Sequence, residues 1–492
     1  MKEKVNKSKL SLILITMQRS DFSSIVQIAG INESHCGYCK NTEEETSISY
    51  GVISSKMNIN HYEAMMLKGW RRSGSYFYKP LMHATCCPPY PIRVKTDKFV
   101  ISKGQRQVVR RLDRYLSTGD IHATEQQQTT YTSLKQSHIF TIETVKPEVT
   151  PERYQLYKKY QMAIHGDKEE DITELRYAQF LVDSPLYDSD DSSSSNSDIS
   201  SIYPLYSSPS SSSQGQSANN NNSTNSSNSS SSKHKTNQPS QQPQPRSIYG
   251  TFHQLYRIDN KLIAVGVIDI LKSGLSSVYM YYDPEYRTLV LGKYTAICEL
   301  QFCQKYKFEY YYMGFYIHTC EKMKYKAEFS PSELLCPITY IWYDYSSICK
   351  PLLDIHVFTG FDCDWLRRYE ASLSTTTATA NATTATTDVN NNNSGNAEGH
   401  NSYPKDSISQ DKPTDNNNTT NNTTTILLPL PYHHTPTCIP DLYLDIRPGQ
   451  PLIHYTQLPT ITQKEYVYDI LLLWVQTCGD EEISKNILLQ FY

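Results

Sequence analysis

The stretch "GTFHQLYRIDNKLIAVGVIDIL", residues 250–271, decides the fold. Residues 251–258 alternate in the way of a strand with two unlike faces. "DNK" at 259–261 supplies the residue types of a hairpin turn. "LIAVGVIDIL" at 262–271 is a continuous apolar, β-branched run and reads as a buried strand.

Working outward, "LSSVYMYYDP" (275–284) is a third strand stopped by Pro284, "LGKYTAICELQFCQKY" (291–306) a helix, and "YYYMGFYIH" (310–318) a further strand. Upstream, "PERYQLYKKYQMAIHGD" (151–167) is a helix with Pro151 in its first turn. The order helix, strand, strand, strand, helix, strand is a mixed α/β (α+β) plan. By analogy it fits a GNAT-like acyltransferase domain.

The chain has 492 residues and a net charge of −3, so no global field draws it to nucleic acid. Residues 188–245 are mostly Ser, Asn and Gln, and 371–426 mostly Thr and Asn. Neither tract can bury enough apolar surface to offset the entropy of ordering, and both are expected to be disordered insertions. About 380 residues remain, enough for two domains. The expected division is an N-terminal cysteine-metal domain at 1–140, a catalytic domain at 145–187 and 246–370, and a tail at 427–492 that completes the fold. The opening "MKEKVNKSKLSLILIT" has only a superficial signal-peptide shape, without a small-residue cleavage site. No apolar run is long enough for a bilayer. The expectation is a soluble protein of the cytoplasm, with the nucleus also open to it. Its twelve cysteines are then thiols or metal ligands rather than disulfides.

Two of those cysteines sit in "CGYCK", where Cys36 and Cys39 flank a tight turn. Such a turn aims two thiolates at one point. Cys86 and Cys87 in "HATCCPPYPIR" are the other close pair. Successive side chains of a strand point apart, so the backbone must bend for both to reach one centre, and Pro88 and Pro89 suit such a bend. Four ordinary buried thiols, or a redox dithiol at Cys36 and Cys39, are the competing readings.

"HYEAMMLKGW" (61–70) has a helical rhythm through Tyr62, Met65, Met66 and Trp70. "GQRQVVRRLDRYL" (104–116) is a second helix. Val108, Val109, Leu112 and Leu116 make its apolar face, and Arg106, Arg110 and Arg114 line a neighbouring stripe. From Arg93 to Arg114 the chain is locally basic, a patch able to meet phosphates.

"CGYCK", "GWRRSGSYFYKP", "TCCPPYPIR" and the run from residue 250 through "KAEFSPSELLCP" together resemble the arginyl-tRNA–protein transferase family, in collinear order over somewhat under half the chain. The resemblance implies transfer of arginine from arginyl-tRNA to the α-amino group of proteins beginning with Asp, Glu or oxidised Cys, which marks them for ubiquitin-dependent degradation. It also implies a metal centre at Cys36, Cys39, Cys86 and Cys87, either an iron–sulfur cluster or zinc. The implied partners are arginyl-tRNA and protein N-termini, with no membrane and no DNA.

Aminoacyl transfer from ester to amine needs no covalent enzyme intermediate. It needs two placed substrates, a neutral amine and a stabilised oxyanion. The candidates from the sequence are His253 as proton acceptor, with Tyr281, Tyr312 and Tyr316 lining the cleft. Arg257, Lys261 and Lys293 are candidates for an acidic N-terminus, and Asp269 and Asp283 for the arginine guanidinium. A structural role competes in each case. Arg71, Arg72, Arg106, Arg110, Arg111 and Arg114 are the candidate tRNA contacts. An acyl-CoA-dependent acetyltransferase is an alternative, but "DPEYRTLVLGKY" holds one glycine where such enzymes carry a glycine-rich loop. A non-catalytic metal-dependent RNA-binding protein is a second alternative.

Overall fold

The computed structural model describes residues 22–39, 45–122, 138–189, 203, 248–362, 443–445, 453–454, 474 and 487–490. The signal-like run at 1–16 and nearly all of both low-complexity tracts lie outside them. The elements expected between 250 and 318 are present. Strands β8 (Gly250–Ile258) and β9 (Lys261–Ile270) form the hairpin. Asp259 and Asn260 between them both have positive φ, the conformation that a two-residue turn of matching twist requires. β10 (Gly274–Tyr282), helix α5 (Leu291–Tyr306) and β11 (Tyr310–Tyr316) follow. Helix α3 (Pro151–Tyr160) precedes them, capped by the Thr150 hydroxyl, and ends in a π-turn at Gln161–His165.

Two eight-stranded sheets hold these elements. The first adds β1 (Ser24–Ser34), β2 (Ser47–Asn58), β3 (Arg71–Ser73), β4 (Tyr76–Pro80), β7 (Leu186–Tyr187), β14 (Tyr443–Asp445), β15 (Ile453–His454) and β16 (Ile487–Gln490). Its order is β15-β14-β16-β1-β2-β4-β3, with β7 paired to β2. β16 lies parallel between β14 and β1, so this part of the tail joins the first sheet. Trp474 is buried edge-on against Trp70, with ring centroids 5.9 Å apart.

The second sheet runs β13-β12-β5-β11-β10-β9-β8-β6, with β5 at Tyr90–Lys95, β6 at Phe140–Val145, β12 at Ser332–Leu335 and β13 at Trp342–Asp344. Both β5, from within the expected 1–140 division, and β6, at its edge, lie in this sheet. β5 sits between β11 and β12. Helix α2 (Lys103–Thr118) buries Val108, Val109, Leu112 and Leu116 in the same core as α5. The chain thus enters the second sheet at Tyr90, directly after the cysteine pair. Arg93 is no part of a basic surface. It pairs with Glu333 at 2.8 Å, its guanidinium 3.7 Å from the Tyr310 ring centroid and 4.2 Å from that of Trp342. On the opposite face, α3 and the short helix α4 (Glu174–Tyr177) cover Leu262, Val265, Val267 and Tyr281. Tyr203, inside the tract expected to be disordered, is also buried. Its ring packs on Phe252, Phe302 and Tyr306, and its hydroxyl donates to the Ile248 carbonyl.

Buried polar contacts lock the first sheet to the second. Arg72 on β3 makes a two-pronged pair with Asp269 on β9, its Nε 2.8 Å from Oδ2, and Thr251 donates to the same carboxylate. Helix α1 (Ile59–Met66) contributes Glu63, which accepts from the backbone N–H of Lys272 and Ser273 at the β9–β10 turn.

Candidate active site

β10 and β11 pair in parallel only where Gly274–Ser276 meets Tyr310–Tyr312, and then part. Both strands are irregular at the parting. β10 slips register against β9 between Ser277 and Tyr279, and β11 slips against β5 between Tyr312 and Phe315. Gly314 there has φ of 71°, a left-handed conformation that a side chain disfavours. A cavity of about 540 Å³ opens in the gap. Tyr160, Phe180, Tyr279 and Tyr282 wall one side, and Tyr38, Tyr78, Phe315 and Met323 are among the remaining lining residues.

Three charged groups give the cavity its chemistry. Glu299 of α5 is almost wholly buried and accepts a 2.7 Å hydrogen bond from the Tyr311 hydroxyl. Burial lifts its carboxyl from 4.5 to about 7, although hydrogen bonds from Tyr311 and Ser277 oppose the rise. Gly266 makes room for it, because a Cβ there would sit 2.9 Å from Oε1. Arg71 on β3 is 5 % exposed. Its Nη1 donates to the Met66 and Trp70 carbonyls, while Nε and Nη2 are buried without a hydrogen-bond partner among the described residues. Lys326 donates to the Phe315 carbonyl at 2.8 Å. Burial, with Arg71 nearby, lowers its ammonium from 10.5 to about 8.

The four predicted metal ligands meet beside this cavity. The Sγ atoms of Cys36, Cys39, Cys86 and Cys87 all lie within 4.8 Å of one another, and those of Cys39 and Cys86 are 3.6 Å apart. Residues 85–87 bend before Pro88 and Pro89, as the double cysteine requires. Cys36 and Cys87 are buried against Ile317, Cys320 and Met323. Four thiols with no competing donor type suit a thiophilic ion. Tyr38, inside the CxxC turn, lines the cavity, as do Met323 and Lys326 beyond Cys320. The cysteine centre therefore braces the cavity wall.

The other candidates are placed elsewhere. His253 does not line the cavity. It is fully buried, its Nε2 is 2.9 Å from the Leu181 carbonyl, and burial lowers it to about 4. Tyr281 is buried against Tyr177 with hydroxyls 2.8 Å apart, and Tyr312 bonds Ser273. Arg257 makes a two-pronged pair with Glu152. Lys261 and Lys159 both pair with Asp283, which caps the turn at Pro284–Leu289. Lys293 pairs with Glu328, and Asp269 is engaged by Arg72. None of these carboxylates is open to a guanidinium from substrate. Arg71 and Arg72, expected at a tRNA surface, are buried and line the cavity instead. Arg106 and Arg110 are exposed on α2, Arg111 donates to the Thr288 carbonyl, and Arg114 is half-buried. Glu299 and Lys326 were missed. An isolated glutamate in the apolar run "AICELQFC" was the available signal for the first, whereas "EKMKYKAE" gave none for the second.

Comparison with known proteins agrees with this architecture. Residues 34–107 match the family model for the arginine-tRNA-protein transferase N terminus, and 152–336 match that for the C terminus. The chain is 30 % identical to arginyl-tRNA–protein transferase 1 of Drosophila melanogaster over 69 % of this chain and 86 % of that protein. It is 51 % identical to arginyl-tRNA–protein transferase 1 of Dictyostelium discoideum over 42 % of this chain and 38 % of that protein. Arginyl-tRNA–protein transferase 2 of Arabidopsis thaliana is 28 % identical over 67 % of this chain and 76 % of its own length. With both halves matched in order, and the cysteine centre and cavity built from the matched segments, the chain belongs to the arginyl-tRNA–protein transferase family.

Proposed function

We propose that this protein transfers arginine from arginyl-tRNA to the α-amino group of proteins beginning with Asp, Glu or oxidised Cys, a step that marks them for ubiquitin-dependent degradation. The observation that carries the reading is the cavity between the parted strands, lined by a buried carboxyl near neutrality and by buried cations. In the reaction the acceptor ammonium first loses a proton. Its nitrogen then bonds to the ester carbonyl carbon and the carbonyl oxygen takes the negative charge; as the carbonyl re-forms and the ester C–O bond breaks, the second proton of the nitrogen passes to the tRNA 3′ oxygen. Glu299 suits the first step, because a group near pH 7 can accept a proton at neutral pH. Backbone N–H groups at the parting of β10 and β11 suit the oxyanion. His253 does not serve as base, since it is walled off from the cavity.

Cys36, Cys39, Cys86 and Cys87 would hold the metal, which supplies a four-way crosslink between the CxxC turn and the segment entering β5. Their mutual distances favour one tetrahedral ion such as zinc, whose S–S edges are about 3.8 Å for Zn–S bonds of about 2.3 Å. An iron–sulfur cubane would need its four thiolates further apart. Arg106 and Arg110 on α2 meet tRNA phosphates without reading bases. No described helix is long and apolar enough to cross a membrane, and the reading places the protein with charged tRNA in the cytosol.

Labelled arginyl-tRNA and peptides differing only in residue one test the reading. Incorporation into Asp- and Glu-initiated peptides, and not into an Ala-initiated one, is expected. Equal incorporation into all three, or none into Asp and Glu, would overturn it.

A further inference from the structure

The cavity is lined by charge of both signs. Arg71, Arg72, Lys322 and Lys326 line it as cations, and Glu299 is the one carboxylate among its described lining residues. Arg72 is neutralised by Asp269. Among the described residues Arg71 has no such partner. Its guanidinium lies over the Phe315 ring, 5.4 Å from the centroid, and two of its three nitrogens are buried without a hydrogen bond. A guanidinium held that way is destabilising until an anion pairs with it. Lys326 uses one of its three N–H donors on the Phe315 carbonyl and is close enough to Arg71 for their charges to repel. Two cations beside an open cavity, with no carboxylate paired to either among the described residues, form a site for an anion.

We propose that Arg71 and Lys326 form the subsite that binds the acidic side chain of the acceptor N-terminus. The ligand class is a small carboxylate, sulfinate or sulfonate one or two bonds from the α-carbon. This assignment rests on the arginyl-transfer reading and names the residues that set its acceptor specificity. Charge sorts the two substrates. The arginyl ester brings an α-ammonium and a guanidinium, both repelled by Arg71 and Lys326, so it lies toward the Glu299 and tyrosine side. The acceptor brings its acid to Arg71 and Lys326, with its amine toward the parting of β10 and β11. A planar guanidinium grips a carboxylate through two N–H groups, and a sulfonate has the same spread of oxygens.

The test compares kcat/KM for peptides beginning with Asp, Asn and Glu, using charged tRNA and the variants Arg71→Gln, Arg71→Lys and Lys326→Gln. Loss of a charge-assisted bond predicts a roughly 10–100-fold fall for the Asp peptide in Arg71→Gln, with the Asp-over-Asn preference reduced by a similar factor. Lys326→Gln should lower the same preference more mildly, and Arg71→Lys should restore part of it. Arg71 also binds the Met66 and Trp70 carbonyls, so melting temperature and bound metal are measured on each variant. Lys326 bonds only through its terminus in the wild type, and its variant keeps the proposal testable if Arg71→Gln does not fold. An unchanged Asp-over-Asn preference in folded Arg71→Gln and Lys326→Gln would overturn the subsite. So would an equal loss for all peptides with a raised KM for arginyl-tRNA, which would assign Arg71 to a tRNA phosphate. A wild-type protein that transfers arginine without preferring Asp would instead refute the parent reading.

Discussion

Replacing Glu299 with Gln separates the cost of burying a carboxylate from the chemistry it performs. The wild-type carboxyl is raised from 4.5 to about 7, mainly by burial. The groups facing it are the Tyr311 and Ser277 hydroxyls, with Gly266 beneath and the Cys298 and Cys303 thiols on its own helix. Between those two values the folded state holds a proton that the unfolded state releases. Stability must therefore fall as pH rises from about 4.5 to about 7 and stay level beyond. The rise corresponds to about 3 kcal/mol at roughly 1.4 kcal/mol per pH unit. Glutamine keeps the acceptor for Tyr311 and never ionises, so it is free of that loss. Urea unfolding at about pH 4 and about pH 8 should show the variant gaining about 3 kcal/mol on the wild type between the two. Any packing defect of the amide cancels in that difference. Transfer to an Asp peptide should nevertheless collapse by roughly 10²–10⁴-fold, the usual weight of a general base. The rising limb near pH 7 should vanish with it. Parallel stability curves for the two proteins would refute the buried-carboxyl argument, and a variant that keeps its rate and its pH limb would refute the role as base.

The remaining predictions follow the same contacts. Cys87→Ser should release the metal and lower activity by loosening the segment that carries Cys320, Met323 and Lys326, read by elemental analysis beside turnover; unchanged metal content would show the four-thiolate assignment to be wrong. Asp269→Asn leaves the buried Arg72 charge without its anion and should destabilise by about 3–5 kcal/mol, whereas an Arg72→Met, Asp269→Leu pair should recover most of that loss. His253→Asn should leave the pH–rate profile unshifted, because His253 is already neutral above about pH 4. Arg106→Gln with Arg110→Gln should raise the KM for arginyl-tRNA and flatten its salt dependence, leaving the Asp-over-Asn preference intact.

The local elements were legible in the sequence because their signals are local. The two-residue turn at Asp259 and Asn260, the apolar stripe of α2 and the limits of α5 all follow from periodicity and turn chemistry. The cysteine centre was legible because Cys36/Cys39 and Cys86/Cys87 are the two close pairs among twelve cysteines. What sequence could not place is what depends on the crossing of sheets. The swap of β5 into the second sheet drew Arg93 into an aromatic clamp, and Arg72 found Asp269 across 197 positions. Arg71 and Arg72 look alike in "GWRRSG", yet strand alternation sends one to the Phe315 ring and the other to Asp269. The charged residues that looked free, Arg257, Lys261, Lys293 and Asp283, are paired with partners from elements the sequence does not align.

The most direct measurement of the central claim is mass analysis of an Asp-initiated peptide after incubation with the protein and arginyl-tRNA. The account predicts one added arginine residue on the α-amino group, formed only with the charged tRNA and absent from the Ala-initiated control. Arginine on a side chain, an equal gain in the control, or acetyl transfer from acetyl-CoA in its place would contradict it.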